Sequence, residues 1–384
     1  MAPKKKPIRL IIIFLFFVTY FLIASRPVPR EKILAPGWLS SLEKNSSVDF
    51  GNPLLIQSSG ASEQILPFTL GSHFGYINSS GKFVINKIKT SDIYLDKKMW
   101  TEYDIVPSSI EIKNILQETL IKIENIKGYP VLLDNRVFIL GSDQNELSEI
   151  DPFGNILWTY EYGAPLTCID VAAGLVLTGS IDGIIEVLDS RGNRIFYFEP
   201  GGSRYEVILG CAISRNGSRI GIISGIDRQR FILLERSTNT GGEYRVVYHE
   251  YMETGFRRPV HILFIDEDRR VVFEREGGIG CFNIRSRHGV FIPLDGEITV
   301  IEEAGDQGLL FLVISRDINE LIGIKIPQDK VLSKPADMRN AIFLRAPFKS
   351  EDVFLSRIQI SGSGTSMLVV GGGKTLISFI LEDK

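Results

Sequence analysis

Cysteine and histidine are the scarcest chemistry-bearing residues in this chain. Its 384 residues hold three cysteines, Cys168, Cys211 and Cys281, with no adjacent pair and no C-x-x-C spacing. A zinc ribbon is thereby excluded, and a disulfide framework is argued against. The four histidines, His73, His249, His261 and His288, include no H-x-x-x-H pair, so no metalloenzyme motif is present. An excess of charge is lacking too: 43 basic side chains stand against 46 acidic ones. With a pI near 6.0 the chain offers no electrostatic footprint for nucleic acid. The stretch from Pro200 to Arg204 is glycine-rich but lacks the G-K-[ST] ending of a phosphate cradle and reads as a loop. Asp266-Glu267-Asp268 lacks calcium-loop spacing and reads as a hairpin turn. What the chain does have is core-forming material, 44% apolar and 10% aromatic, which excludes a disordered or collagen-like polymer.

Long hydrophobic runs are confined to the N-terminus. Lys4, Lys5, Lys6 and Arg9 precede Leu10–Ala24, a run of fifteen residues broken only by Thr19 and Tyr20. Ile8 and a snorkelling Arg9 extend it to about 18 residues, the lower limit for a membrane span. The sequence therefore predicts a cytoplasmic basic tail over 1–7 and a transmembrane signal anchor over 8–25. A linker follows over 26–50, rich in early proline and in serine. The rival reading is a signal peptide cleaved after Ser25. The lysine-rich tail orients the anchor N-in, which puts the rest of the chain on the extracytoplasmic side of the membrane. No cysteine near the segment is available for a lipid.

From residue 51 to 384 the pattern changes to short β-rich runs punctuated by Gly, Asn and Asp. Asp151-Pro-Phe-Gly154-Asn-Ile-Leu-Trp158 and Asp189-Ser-Arg-Gly192-Asn-Arg-Ile-Phe196 share one spacing 38 residues apart, and Asn78-Ser-Ser-Gly81 is a weaker copy. In such a turn Asp or Asn bonds its own backbone, Gly takes a positive φ, and a new strand opens with a large apolar residue. A second hairpin recurs near Asn135, Gly174, Asn216, Glu267, Asp306 and Gly364, with a seventh turn near Ser72. Units of about 40 to 50 residues, each readable as four strands, match propeller blades. The expectation is an all-β fold, a β-propeller of seven four-stranded blades; a two-sheet sandwich is the rival, with no reason to repeat the hairpin. Residues 96–127 depart from the repeat, and the spacing of Ile112, Ile115, Leu116 and Leu120 slightly favours an inserted helix over strand. Ring closure is expected from Pro53–Gln57 pairing with Thr375–Leu381. Cys168 and Cys211 should sit unpaired at equivalent places of adjacent blades.

These residues carry a family resemblance. The stretch from Asp151 to Phe198, with Gly179-Ser-Ile-Asp-Gly183 leading to Asp189, resembles the pyrroloquinoline-quinone-type propeller repeat, and Ser214-Arg-Asn-Gly217-Ser-Arg-Ile resembles the turn of WD40-like and TolB-like propellers. Quinoprotein dehydrogenases share that repeat, but many carry an adjacent cysteine pair over the quinone, which is missing here. Trp158 and Phe196 are therefore read as blade-packing aromatics. The outer-membrane assembly propeller, a non-enzymatic binding module, is similar in architecture but is a lipoprotein. The resemblance implies a bacterial protein–protein interaction scaffold with a place in envelope assembly, anchored in the cytoplasmic (inner) membrane with its propeller on the periplasmic side.

No catalytic, cofactor or metal residues are assigned. Tyr248, His249, Tyr251, Phe256, Arg257 and Arg258 mix aromatics with arginines outside the clean strand pattern, a composition favoured at protein interfaces. They are the candidate partner-binding residues, an ordinary solvated loop being the alternative. The expected partners are the membrane, through Leu10–Ala24, and a protein not identifiable from sequence, with no nucleic acid. The competing function is a propeller enzyme or small-ligand sensor using the central channel.

Overall fold

The repeated turns fold as their chemistry requires. Asp151 Oδ1 accepts from the amides of Phe153 and Asn155, both at 2.8 Å, while Gly154 takes φ 87°. Asp189 repeats this with Arg191 and Asn193 at 2.8 and 2.9 Å around Gly192 at φ 77°. Asn78 does the same with Ser80 and Lys82 at 3.2 and 2.8 Å around Gly81 at φ 81°. Other hairpins close on two left-handed residues, as at Asp134 (φ 51°) and Asn135 (φ 58°), the twist that suits antiparallel strands. The strands between alternate in burial or, toward the middle of a blade, are buried throughout: Ser109–Asn114 buries Ile110 and Ile112, whereas Ile185–Leu188 is wholly buried.

In the computed structural model, which describes residues 13–20, 32–50, 64–105, 107–236, 242–253, 255–305, 308–326, 340–359 and 366–383, these strands form eight antiparallel sheets, the blades of a propeller. Blade 1 spans 65–88, blade 2 spans 92–124, blade 3 spans 128–161, blade 4 spans 166–198, blade 5 spans 208–251, blade 6 spans 262–293, blade 7 spans 297–348, and blade 8 joins 353–383 to 32–49. Blades 2 to 7 have four strands each; blade 1 shows three and blade 8 five among the described residues. The expected count of seven is thus corrected to eight. The blade passed over is 92–124, where an inserted helix was favoured; its strands Met99–Tyr103, Ser109–Asn114 and Thr119–Glu124 follow the buried alternation Ile110, Ile112, Ile121, Ile123.

Closure also differs from expectation. Lys32–Ser41 pairs antiparallel with Thr375–Asp383, from Lys32↔Asp383 to Ser41↔Thr375, and Ser46–Asp49 adds a fifth strand outside it. Most of the presumed linker 26–50 is therefore part of the ring, and Pro53–Gln57, given that closing role, lies outside the described residues. Trp38 locks the seam: fully buried, it donates from Nε1 to Ser79 O at 2.9 Å, and its amide donates to Ser378 Oγ at 2.9 Å. An added Cβ at Gly81 would lie 2.5 Å from the Trp38 ring, and one at Gly192 would lie 2.6 Å from the Trp158 ring. The same tryptophan-on-glycine contact thus joins blade 8 to blade 1 and blade 3 to blade 4.

The single-pass anchor is also corrected. Among the described residues no helix is long and apolar enough to cross a membrane; the helical stretch covers 13–20, about 12 Å of rise against the roughly 30 Å of a hydrocarbon core. This finding overturns the anchor over 8–25 and the inner-membrane placement built on it. The remainder of Leu10–Ala24 lies outside the described residues.

Candidate functional site

Three strands of blade 5 and three of blade 6 border a deep concavity. Blade 5 contributes its second to fourth strands, Arg219–Ser224, Arg230–Arg236 and Tyr244–Tyr251, and blade 6 its second to fourth, Arg270–Arg275, Gly278–Asn283 and His288–Pro293. Between them opens a cleft of roughly 1060 Å3, within the range of ligand-binding sites. Its apolar wall includes Leu233, Val247 and Val290, with Tyr248 stacked on Phe282 at 4.1 Å between ring centroids. The Tyr248 hydroxyl donates to Glu250 Oε2 at 2.8 Å; burial first, then this bond, push its pKa up to about 12.

The floor is the first turn of blade 6. Asp266, Glu267 and Asp268 all take left-handed φ, 55°, 53° and 63°, a run of three non-glycine residues that is costly without compensation. The compensation is ionic and largely buried. Asp266 is 2% exposed and Asp268 7%. Asp266 faces Arg270 Nε at 3.7 Å and Arg269 at 3.7 Å, and its amide donates to Glu303 Oε1 of blade 7 at 2.5 Å. Arg215 of blade 5 donates its amide to Asp268 Oδ2 at 2.9 Å and reaches Glu303 at 3.6 Å. One network therefore ties the first turns of three successive blades. Even so, Asp266 Oδ1 and Asp268 Oδ1 accept no hydrogen bond.

The rim is the turn between the third and fourth strands of blade 6, Arg285-Ser286-Arg287-His288, all exposed. Arg287 holds φ 56°. The cleft's acids are each matched: Glu235 by Arg219 at 2.8 Å, Glu267 by Arg269, Asp266 by Arg270, and Asp268 by Arg215 at 4.0 Å. Neither Arg285 nor Arg287 has a carboxylate partner among the described residues, so the rim carries uncompensated positive charge.

The candidate partner-binding residues do not form one patch. Tyr248 lines the cleft. Tyr251 lies three residues further along the same strand, exposed, with the guanidinium of Arg228 4.6 Å and that of Arg230 5.6 Å from its ring centroid. His249 meets Tyr251 edge-on at 6.1 Å. Phe256 is half-buried, its carbonyl accepting from Gln229 Nε2. Arg257 is exposed, whereas Arg258 is bound to Glu274 at 2.5 Å and Glu297 at 3.2 Å and caps Phe256. Sequence reasoning missed the rim arginines, whose signal was the basic turn R-S-R-H after a strand.

The channel mouth holds a second polar cluster. Asp170, Ala212, Arg215, Leu263 and Asp268 bound a cavity of roughly 380 Å3 there, and Asp170 Oδ2 accepts the Ile213 amide at 2.8 Å. Glu302, near Arg357 and Lys97, is held up to about pKa 7, chiefly by burial. No group of three or more His, Cys, Asp or Glu among the described residues is placed to hold a metal ion. Cys168 and Cys211 are free thiols on the innermost strands of blades 4 and 5, as their register suggested. They are close neighbours rather than distant: Cys211's pKa is raised by burial and then by a hydrogen bond with Cys168.

Comparison with known proteins bears on the fold. The chain is similar over 360 residues, at 25% identity, to an uncharacterized protein of Treponema pallidum (strain Nichols), covering 91% of this chain and 92% of that one. Its structure is similar to the crystal structure of BamB from Moraxella catarrhalis, with TM-score 0.56 at 12% identity over 91% of this chain and all of the other. It is also similar to the computationally designed Ika8 protein, with TM-score 0.59 at 12% identity over 83% of this chain and 94% of that one. These two likenesses concern the fold alone. A family model described as a beta-propeller protein matches residues 1–363, and with eight blades closed by an N-terminal strand, the chain belongs to that β-propeller family.

Proposed function

We propose that this propeller is a protein-interaction scaffold whose contact surface is the cleft between blades 5 and 6. The observation that carries the reading is the combination in one place of a deep, partly apolar cleft and an exposed rim of arginines with no carboxylate partner among the described residues. Arginine and aromatic side chains at a concave surface are the composition of binding hot spots. The internal repeat supports kinship with the pyrroloquinoline-quinone-type propellers at the level of its D-x-x-G turns, without their quinone site. The BamB likeness supports the same architecture in another bacterial protein. The competing reading, an enzyme or small-ligand sensor, draws on the channel mouth, where Asp170, Arg215 and Asp268 converge.

Complementation in cells that depend on the protein separates the two. Ser286→Trp obstructs the rim without touching the channel; Asp170→Asn and Glu302→Gln neutralise channel acids without touching the cleft. The scaffold reading expects loss of function from Ser286→Trp and retention in the two channel variants, all three proteins accumulating normally. The opposite pattern would establish the channel as the working site.

A further inference from the structure

The charge pattern of the cleft says what kind of segment fills it. Every acid lining it is already matched by an arginine, so a cationic segment would have to displace existing pairs. Arg285 and Arg287 have no such match among the described residues, and they flank Ser286 on the exposed lip. Below them the half-buried side chains of Tyr248, Val247 and Val290 give the cleft an apolar wall that suits a flat or branched apolar side chain.

Resting on the scaffold reading above, we infer that the cleft takes an acidic peptide segment of a partner protein. Two carboxylates of the segment pair with Arg285 and Arg287, and an aromatic or leucine side chain between them packs against Tyr248, Val247 and Val290. The fork of an arginine matches a carboxylate in two parallel hydrogen bonds. The strained backbone at Arg287 (φ 56°) holds its side chain on the lip, where a glycine would satisfy the turn alone. A small polyanion lacks the apolar side chain.

Selection of a random twelve-residue peptide library on the full-length protein tests this. The expected result is enrichment of peptides carrying at least two Asp or Glu within three residues of an aromatic or leucine. Their affinity should fall at least tenfold in the folded Arg285→Glu/Arg287→Glu protein, and also when their acids are changed to amides. If the double reversal does not fold, Arg285→Gln and Arg287→Gln serve singly, each with a smaller loss. Enriched peptides that are neutral or basic, and that Ser286→Trp still blocks, would overturn the acidic assignment and leave the cleft as binding surface. No enrichment, or peptides indifferent to Ser286→Trp, would overturn both. Displacement of the peptides by inorganic tripolyphosphate at equal concentration would show an anion site rather than a peptide site.

Discussion

Glu302 shows how one half-buried side chain couples this fold to pH. Its folded pKa, raised to about 7 by burial, lies above that of an unfolded glutamate. Between the two values the folded state binds more protons than the unfolded state, so this group's contribution lowers stability as pH rises from about 4.5 to 7 and stays level above. Glu302→Gln removes this dependence. At pH 8 the variant should be the more stable, by on the order of 3 kcal/mol, and at pH 4 it should match the parent. Equal differences at both pH values, read from denaturant midpoints, would refute the shift. Arg287 gives the complementary case. In Arg287→Gly the relief of left-handed strain is set against the entropy of a freer unfolded chain, so stability should stay within about 1 kcal/mol of the parent, while peptide affinity falls. A stability loss above about 2 kcal/mol would make Arg287 structural rather than a lip residue.

At the scale of elements, the turn motif was the most legible part of the sequence, because its information is local. An Asp or Asn, a glycine three residues later and a following apolar residue describe one hairpin completely. The tryptophan contacts across blades were visible only as blade-packing aromatics, since nothing in the chain says which glycine each ring covers. Gly192→Ala and Gly174→Ala separate the local and tertiary parts. Both glycines have positive φ, 77° and 76°, but a Cβ added at Gly192 would lie 2.6 Å from the Trp158 ring and one added at Gly174 would meet nothing within 4 Å. Gly174→Ala should cost about 1 kcal/mol from backbone strain. Gly192→Ala should cost about 3 kcal/mol, the overpacking being added. Equal losses in thermal unfolding would deny the packing role. Blade 2 was misread because Ile112, Ile115, Leu116 and Leu120 suit a helix, while the paired strands around Ile110, Ile112, Ile121 and Ile123 are fixed by neighbours from blades 1 and 3. The cleft was illegible for the same reason: Arg285 and Glu235 are far apart in sequence, and only blade packing brings them to one rim.

For the whole molecule, closure makes a ring of semi-independent sheets behave as one unit. Lys32–Ser41 ties the N-terminal segment to the last strand, and Trp38 spans the seam to blade 1. Trp38→Ala should destabilise the domain by about 3–5 kcal/mol, and unfolding should remain a single transition. A variant that lost only blade 8 or blade 1, giving two transitions in calorimetry, would show that the seam does not hold the ring together. The interior is knit likewise at one face, where Arg215, Asp266, Asp268 and Glu303 connect blades 5, 6 and 7. That network fixes the turn on which the cleft floor rests.

The central claim is that this propeller works by holding a partner in the cleft between blades 5 and 6. A photo-crosslinking residue placed at Ser286 on the rim, and separately at Asn135 on the corresponding face of blade 3, tests it in cells that naturally make the protein. The account predicts a discrete protein adduct from position 286, absent from position 135 and abolished when Arg285→Glu/Arg287→Glu is added. No adduct from 286, or one of equal yield from both positions, would contradict it.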